Sequence, residues 1–449
     1  MKLNRLLLMS VIGLGLFACN NNDLVEGTSG QDGTQSEGTK YVGFTLKFND
    51  ANARATTTET GTAAEQGISS AYVMMTSDGG TTFEEVLSME NTPENGKGEG
   101  YYSDQEKFLF QTNAGNHDFY AVINPDEPPV QGGNISAYFK TAIALPLSTI
   151  TTDDNFMMSS HEIKTFYVND NVTEQQALNG TANSFTIDVE RVAAKVTMTT
   201  ESTTLTNATN DADGTISNPV FHLRNIAKTS YRMAQASILE NTEYNDGISP
   251  IPVYVKEEQD ETTSLYRNAT PTYCLENQHA AGGYKQGNTT YLTLYTIFSP
   301  ANVVDPDATQ VKILKPNTLT GSDANKTFYV VKSGELAGNY LMEEDLKTFR
   351  GGDLSKTDLP AGVEAISAPY TDGTCWFGPI WIGQENETSQ DAPVIRNTWY
   401  NLKITGIELP GDPEEPTINV EEPLVPPTNV AITLNILDWD FIDRQITLK

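Results

Sequence analysis

Val42-Gly-Phe-Thr-Leu-Lys-Phe48, near the start of the chain, has a counterpart near its end in Val430-Ala-Ile-Thr-Leu-Asn-Ile436. Both place apolar side chains at alternate positions: Val42, Phe44, Leu46 and Phe48 in the first, Val430, Ile432, Leu434 and Ile436 in the second. Successive side chains of a strand point to opposite faces, so each pattern buries one face, and a slip of one residue would expose it. Two matching patterns can compete for one slot in one register. The pairing points to strand replacement, in which a built-in strand is removed and another molecule's copy fills its place. Without it, both are ordinary half-buried strands of an all-β protein.

Working outward, short β-like runs recur at Ala71 to Thr76, Lys107 to Thr112, Asp118 to Asn124 and Ser184 to Val189, separated by turn clusters such as Ser77-Asp-Gly-Gly80 and Asp211-Ala-Asp-Gly214. Helical periodicity is confined to Asn134 to Ala144 and Glu335 to Thr348. Many strands with few helices predict β-sandwiches, whose alternate residues face a core between two sheets. The length suggests two stacked sandwich domains, residues 55–183 and 184–409, with the join near 184.

Lys2 and Arg5 precede an apolar run from Leu6 to Phe17 that ends in Leu16-Phe-Ala-Cys19. This reads as a secretory signal over residues 1–18 with a lipobox, too short for a stable bilayer-spanning helix. Cleavage after Ala18 would free the Cys19 thiol for a lipid, and Asn20, with no acidic residue directly after the cysteine, favours the outer membrane or cell surface. Residues 20–39 have the composition of a tether. The polar stretch through Asn49 and Arg54 into Ala55 to Gly67 is not expected to pack. Cys274 and Cys375 are then one disulfide or two buried thiols. A formal net charge of −31 opposes a nucleic-acid surface and disfavours tight binding to anionic membranes.

Beyond Tyr400-Asn-Leu-Lys-Ile404, which reads as a domain's last strand, come Pro410-Gly-Asp-Pro-Glu-Glu-Pro416 and Glu421-Glu-Pro-Leu-Val-Pro-Pro427. Proline extends this backbone and charge keeps it solvated, so residues 410–449 read as a spacer that projects a donor strand, with Trp439 and Phe441 extending the contact.

Met157-Met-Ser159, Val189-Glu-Arg-Val-Ala-Ala-Lys-Val196, Tyr273-Cys-Leu-Glu-Asn277, Gly287-Asn-Thr-Thr-Tyr291, Arg396-Asn-Thr-Trp-Tyr400 and the tail from Glu421-Glu-Pro-Leu424 to Trp439 follow one another in an order and spacing that resemble the Bacteroidia type V fimbrillins, particularly the Mfa-like stalk subunits of short fimbriae. The resemblance covers nearly the whole chain. It implies two tandem transthyretin-like β-sandwiches, export as a palmitoylated lipoprotein, cleavage after an arginine by a trypsin-like surface protease, and loss of the first strand to open an acceptor groove. Carried onto this sequence, Arg54 is the cleavage site and Ala55 the new N-terminus, which makes residues 19–54 a propeptide. The implied partners are identical subunits in a filament, anchor and tip subunits, and host or bacterial surface ligands, in support of adhesion and biofilm formation.

Catalytic patterns are missing. His117, His161, His222 and His279 are far apart and form no His-Glu-x-x-His pair, and no nucleophile elbow or phosphate loop occurs. Asp211-Ala-Asp-Gly214 lacks the glutamate of a calcium loop at Val220 and reads as a hairpin turn. No enzyme, metal or cofactor is expected. Trp376, Trp381 and Trp399 could form a sugar platform, although such residues are more often core. The competing readings are a tip-proximal accessory subunit and a monomeric surface lipoprotein that binds glycan or a host ligand.

Overall fold

In the computed structural model, Val42–Phe48 lies in the strand Tyr41–Phe48 (β1). Val42, Phe44 and Leu46 are buried, while Thr45 and Lys47 on the opposite face are half-buried. The structure describes residues 40–440 apart from 49–56, 78, 93–99, 201–203, 208–209, 235–243, 246–250, 253–254, 257–265, 268–271, 308–313, 319–325, 385–388, 408 and 426–429. Cys19, Arg54, Ala55 and Phe441 therefore lie outside the described residues. For Thr57–Thr60 and Val430–Asp440 only the backbone is described.

The first sheet runs Glu85–Ser88, Ala71–Ser77, Gly115–Ile123, Met158–Ser160, Ser184–Arg191, β1, Phe108–Gln111, Gly100–Tyr102, and Lys164–Val168 also pairs with Gly115–Ile123. It curls so that β1 faces Gly115–Ile123 across an aromatic core, with the Phe44 and Phe119 rings 4.1 Å apart. Alternation along Gly115–Ile123 sends Phe119, Ala121 and Ile123 into this core and Tyr120 and Val122 into a second one. The helix Ile135–Phe139 covers that second core, its N-terminus capped by the Asn134 side chain accepting from the Ala137 N–H. Helix occupies only part of the stretch read as helical from the sequence, because the backbone turns extended again at Ile143–Ala144 to pair with Thr229–Ser230. The second predicted helix is Glu343–Phe349.

The chain leaves the first sheet at Val192. Ser184–Arg191, which the sequence reading gave to the second domain, stays in the first sheet beside β1, and Ala193–Thr200 opens the second. Two further sheets, one built on Ala193–Thr200 and Thr398–Ile407, the other on Asn210–Arg224, Tyr291–Pro300 and Thr374–Trp381, enclose a core that includes Val196, Leu402, Phe221, Leu294 and Phe377. Residues 39–449 make one compact unit. Asp211 to Gly214, read as a turn from the sequence, lie instead within the strand Asn210–Arg224, whose Asn210 pairs with Asn207 and Gly214 with Leu205. Cys274 and Cys375 are buried free thiols, and burial pushes the Cys274 thiol up to about 12.

Buried ion pairs join the two halves. Glu65, in the one-turn helix Ala64–Gln66, meets Lys195 at 2.8 Å and accepts from the Tyr273 hydroxyl at 2.7 Å; the Lys195 ammonium also sits over the Trp399 ring at 3.9 Å. Burial pushes the Glu65 carboxyl up, but Lys195 and the hydrogen bonds outweigh it and leave it below the usual carboxylate range. Arg232 donates to both oxygens of Asp126 in the first half at 2.7 and 2.9 Å, and Arg396, which holds Glu276 of its own half at 3.0 Å, comes within 3.9 Å of Glu190 in the first sheet.

Candidate functional site

β1 is an interior strand. It pairs parallel to Ser184–Arg191, from Gly43 opposite Ser184 to Phe48 opposite Val189, and antiparallel to Phe108–Gln111, from Tyr41 opposite Gln111 to Phe44 opposite Phe108. The Phe44 ring is surrounded by Phe119 at 4.1 Å, Phe166 and Phe185 at 5.7 Å and Phe110 at 5.9 Å. Removal of β1 would orphan the N–H and C=O groups of two neighbouring strands and empty this aromatic nest, and exposed strand edges recruit strands.

The start of the slot is closed by the segment from Val172 to Asn183. Tyr41 N–H donates to Val172 O at 3.1 Å, Gly43 N–H to Asn183 O at 2.8 Å, and the Asn183 side chain donates back to Tyr41 O at 3.0 Å. Within that segment the helix Glu174–Leu178 begins with a capping box between Thr173 and Gln176 and packs over the outer face of β1. Lys40, just before the strand, pairs with Asp170 at 3.5 Å.

After Phe48 the chain pairs in another sheet before it comes back to the first one at Ala71–Ser77. Its next described strand, Thr57–Thr60, runs parallel to the tail in the second half, with Thr57 opposite Leu437. Glu65 then anchors the chain at the joint. In sequence Arg54 and Ala55 come between β1 and Thr57–Thr60, outside the described residues.

The tail departs from the sequence expectation. Val430–Asp440 is not projected away; it lies antiparallel to Thr398–Ile407 of its own chain, with Ile432, Leu434 and Ile436 opposite Ile404, Leu402 and Tyr400, and Trp439 opposite Glu59 of the parallel neighbour. In a single chain the free edge of Thr398–Ile407 is the ladder at hand, and pairing there satisfies backbone groups that would otherwise be left open. The proline-rich segment is likewise a docked strap. Trp376 and Asp412 exchange backbone hydrogen bonds of 2.8 and 2.7 Å, Gln286 N–H donates to Glu422 O at 2.9 Å, the Trp381 indole donates to Val425 O at 2.6 Å, and Leu424 is buried among Tyr284, Tyr291, Trp381 and Ala392.

The three tryptophans form no common platform. Trp381 is buried under the strap, Trp399 packs beneath Lys195, and Trp376 contacts Tyr295 and His222. Each histidine has a separate partner: His117 reaches Asn113 O, His161 Glu190, His222 Arg224 and His279 Asn288 O. Among the described residues no cluster of His, Cys, Asp or Glu could hold a metal, and no helix is long and apolar enough to cross a membrane. Sequence reasoning missed Glu65, whose partner lies 130 residues away with no local signal, and Gly43, whose role depends on a helix from another segment.

The fold and this site define an all-β protein whose first strand is interior to its sheet and paired on both sides. Residues 368–445 match the family model described as major fimbrial subunit protein type IV, fimbrillin, C-terminal. The whole fold is similar to that of fimbrilin FimA from Porphyromonas gingivalis, at 15% identity over 91% of this chain and 99% of that one, with a TM-score of 0.50. It is also similar to the tip fimbrial protein Mfa3 from Porphyromonas gingivalis, at 12% identity over 89% of this chain and 100% of that one, TM-score 0.41. No curated protein matches by sequence. The match over residues 368–445 and the FimA-like fold agree with the type V fimbrillin resemblance.

Proposed function

We propose that this chain is a stalk subunit of a type V fimbria, exported as a lipoprotein through Cys19, cut after Arg54 by a trypsin-like surface protease, and polymerised head-to-tail by strand exchange. The observation that supports it most is the position of β1: interior to its sheet, paired on both sides, and followed in sequence by Arg54 before the next described strand, Thr57–Thr60, which belongs to another sheet. After cleavage, Val430, Ile432, Leu434 and Ile436 of a second copy take the places of Val42, Phe44, Leu46 and Phe48, with Trp439 and Phe441 adding contact beyond the groove. This is β-augmentation. Four such side chains contribute roughly 6–12 kcal/mol at about 1.5–3 kcal/mol each. Ordering a strand costs about 1–2 kcal/mol per residue, so the two restored backbone ladders carry the balance. Donor and slot lie on different parts of the subunit, so the contact does not close and a filament results. In the uncut chain β1 fills the slot and the tail docks in cis, which keeps the precursor monomeric. Identical subunits, anchor and tip subunits and surface ligands are the partners, and adhesion and biofilm formation the role.

The cis-docked tail favours a second reading, a monomeric surface lipoprotein that retains Cys19 and binds a glycan or host ligand. N-terminal mass mapping of the surface-extracted protein, followed by sizing without boiling, separates the two. A start at Ala55 and a multimer ladder that requires residues 430–449 support the stalk; a lipidated Cys19 start with monomers only refutes it.

A further inference from the structure

Apolar alternation rejects a one-residue slip of an incoming strand but tolerates a slip of two, because the same face stays apolar. In the tail, moving two residues on puts Ile432, Leu434 and Ile436 where Val42, Phe44 and Leu46 were, so the buried face alone does not choose between registers.

The outer face of the slot does. A Cβ built on Gly43 would lie 3.0 Å from the carbonyl oxygen and 3.4 Å from the carbonyl carbon of Ala177, in the helix Glu174–Leu178. Ala177 is fully buried, and the helix is pinned by its capping box and by Lys107, whose ammonium donates to Leu178 O at 2.7 Å. The obstruction is backbone rather than the far end of a flexible side chain, so even a methyl here requires it to give by a few tenths of an ångström, and atoms beyond a Cβ ask for more. A strand entering here fits best with a hydrogen atom, and next best with a single methyl, at this position.

We infer that Ala431 fixes the register of donor entry: the slot accepts Val430–Ile436 of a second copy with Ala431 at the Gly43 position against the Ala177 carbonyl, and rejects registers two residues to either side. Moved on by two, the tail presents the β-branched Thr433 there; moved back by two, it presents Asn429 and sends Thr428 into the core position of Val42. Ala431 is the smallest residue from Asn429 to Asn435, and it stands in the register that also fills all four apolar positions. This inference rests on the strand-exchange reading and adds the register and the residue that sets it.

Cysteine mapping tests it on trypsin-cut full-length protein. Thr45 lies opposite the exposed Thr186 in the parallel ladder, so the donor residue at position 45 reports the register. With Thr186→Cys in every sample, Thr433→Cys should give an intersubunit disulfide ladder, while Asn435→Cys and Ala431→Cys, which report slips on and back, should not. A ladder from either of these in place of Thr433→Cys, or non-covalent multimers with no cross-link from any of the three, overturns the register. Absence of any multimer from the cut protein without added cysteines would sink strand exchange itself. As a second readout, Ala431→Val should slow multimer formation at least tenfold while Ala431→Gly does not slow it; equal rates for the two, with unchanged monomer melting, also overturn the assignment.

Discussion

If strand exchange operates as proposed, replacing Phe44 by alanine should weaken the uncut chain and leave the assembled multimer untouched. Phe44 is fully buried, its ring 4.1 Å from Phe119 and within 5.9 Å of three further phenylalanine rings. Truncation of such a side chain costs about 3–5 kcal/mol, cavity included. For a unit as large as residues 39–449, an unfolding entropy of about 2.1 cal/mol/K per residue makes each kcal/mol worth about 1 °C, so a fall of roughly 3–6 °C is expected in calorimetry of the precursor. If the loss falls on local opening of β1, that opening becomes roughly a hundred- to several-thousand-fold more populated, and brief trypsin treatment should release the strand faster. After cleavage and exchange the strand that carries residue 44 is gone. Multimers from wild-type and Phe44→Ala protein should then melt at the same temperature. An equal drop in precursor and multimer would mean that β1 stays in its slot, and strand replacement would be wrong.

Three further outcomes follow from the packing around the site. Glu65→Ala removes the carboxylate 2.8 Å from the buried Lys195 ammonium and should cost about 3–5 kcal/mol in urea unfolding, whereas Glu65→Leu combined with Lys195→Met should fall near wild type; a loss below about 1 kcal/mol for Glu65→Ala would refute the anchor. Leu424→Ala should cost about 2–5 kcal/mol locally and raise hydrogen exchange across residues 410–425, and unchanged protection there would show that Leu424 does not hold the strap. His161 is raised above its ordinary value, first by its hydrogen bond to Glu190 and further by the nearby Glu162 and Asp188. A raised folded-state pKa stabilises fully below the unfolded value near 6.5 and is lost as pH rises through the folded one. Stability should therefore decline upward from about pH 6.5, and His161→Gln should flatten that decline; an unchanged slope would assign it to other groups.

The sequence by itself determined the strands and their faces. Period-two alternation is a local property, so Val42, Phe44 and Leu46 were legible as one buried face before any partner was known, and the Ser77 to Gly80 cluster marked a strand end, whereas Asp211 to Gly214 proved to lie within a strand. Charge and composition likewise spoke against a nucleic-acid surface without reference to shape. Tertiary structure alone decided pairing. That β1 is interior rather than an edge depends on Ser184–Arg191, some 140 residues away, and Glu65 finds Lys195 across a similar distance. The same holds for the tail, whose pattern announced a strand but not that it would dock on Thr398–Ile407, and for the proline-rich segment, which folds down because Leu424 finds an apolar pocket in its own domain. Gly43 is the clearest case: its sequence context shows only a small residue in a strand, and the carbonyl that forbids a larger one comes from a helix more than 130 residues further along the chain. Local periodicity is written into neighbouring residues, whereas partners, edges and available space are set by which distant segments the folded chain brings together.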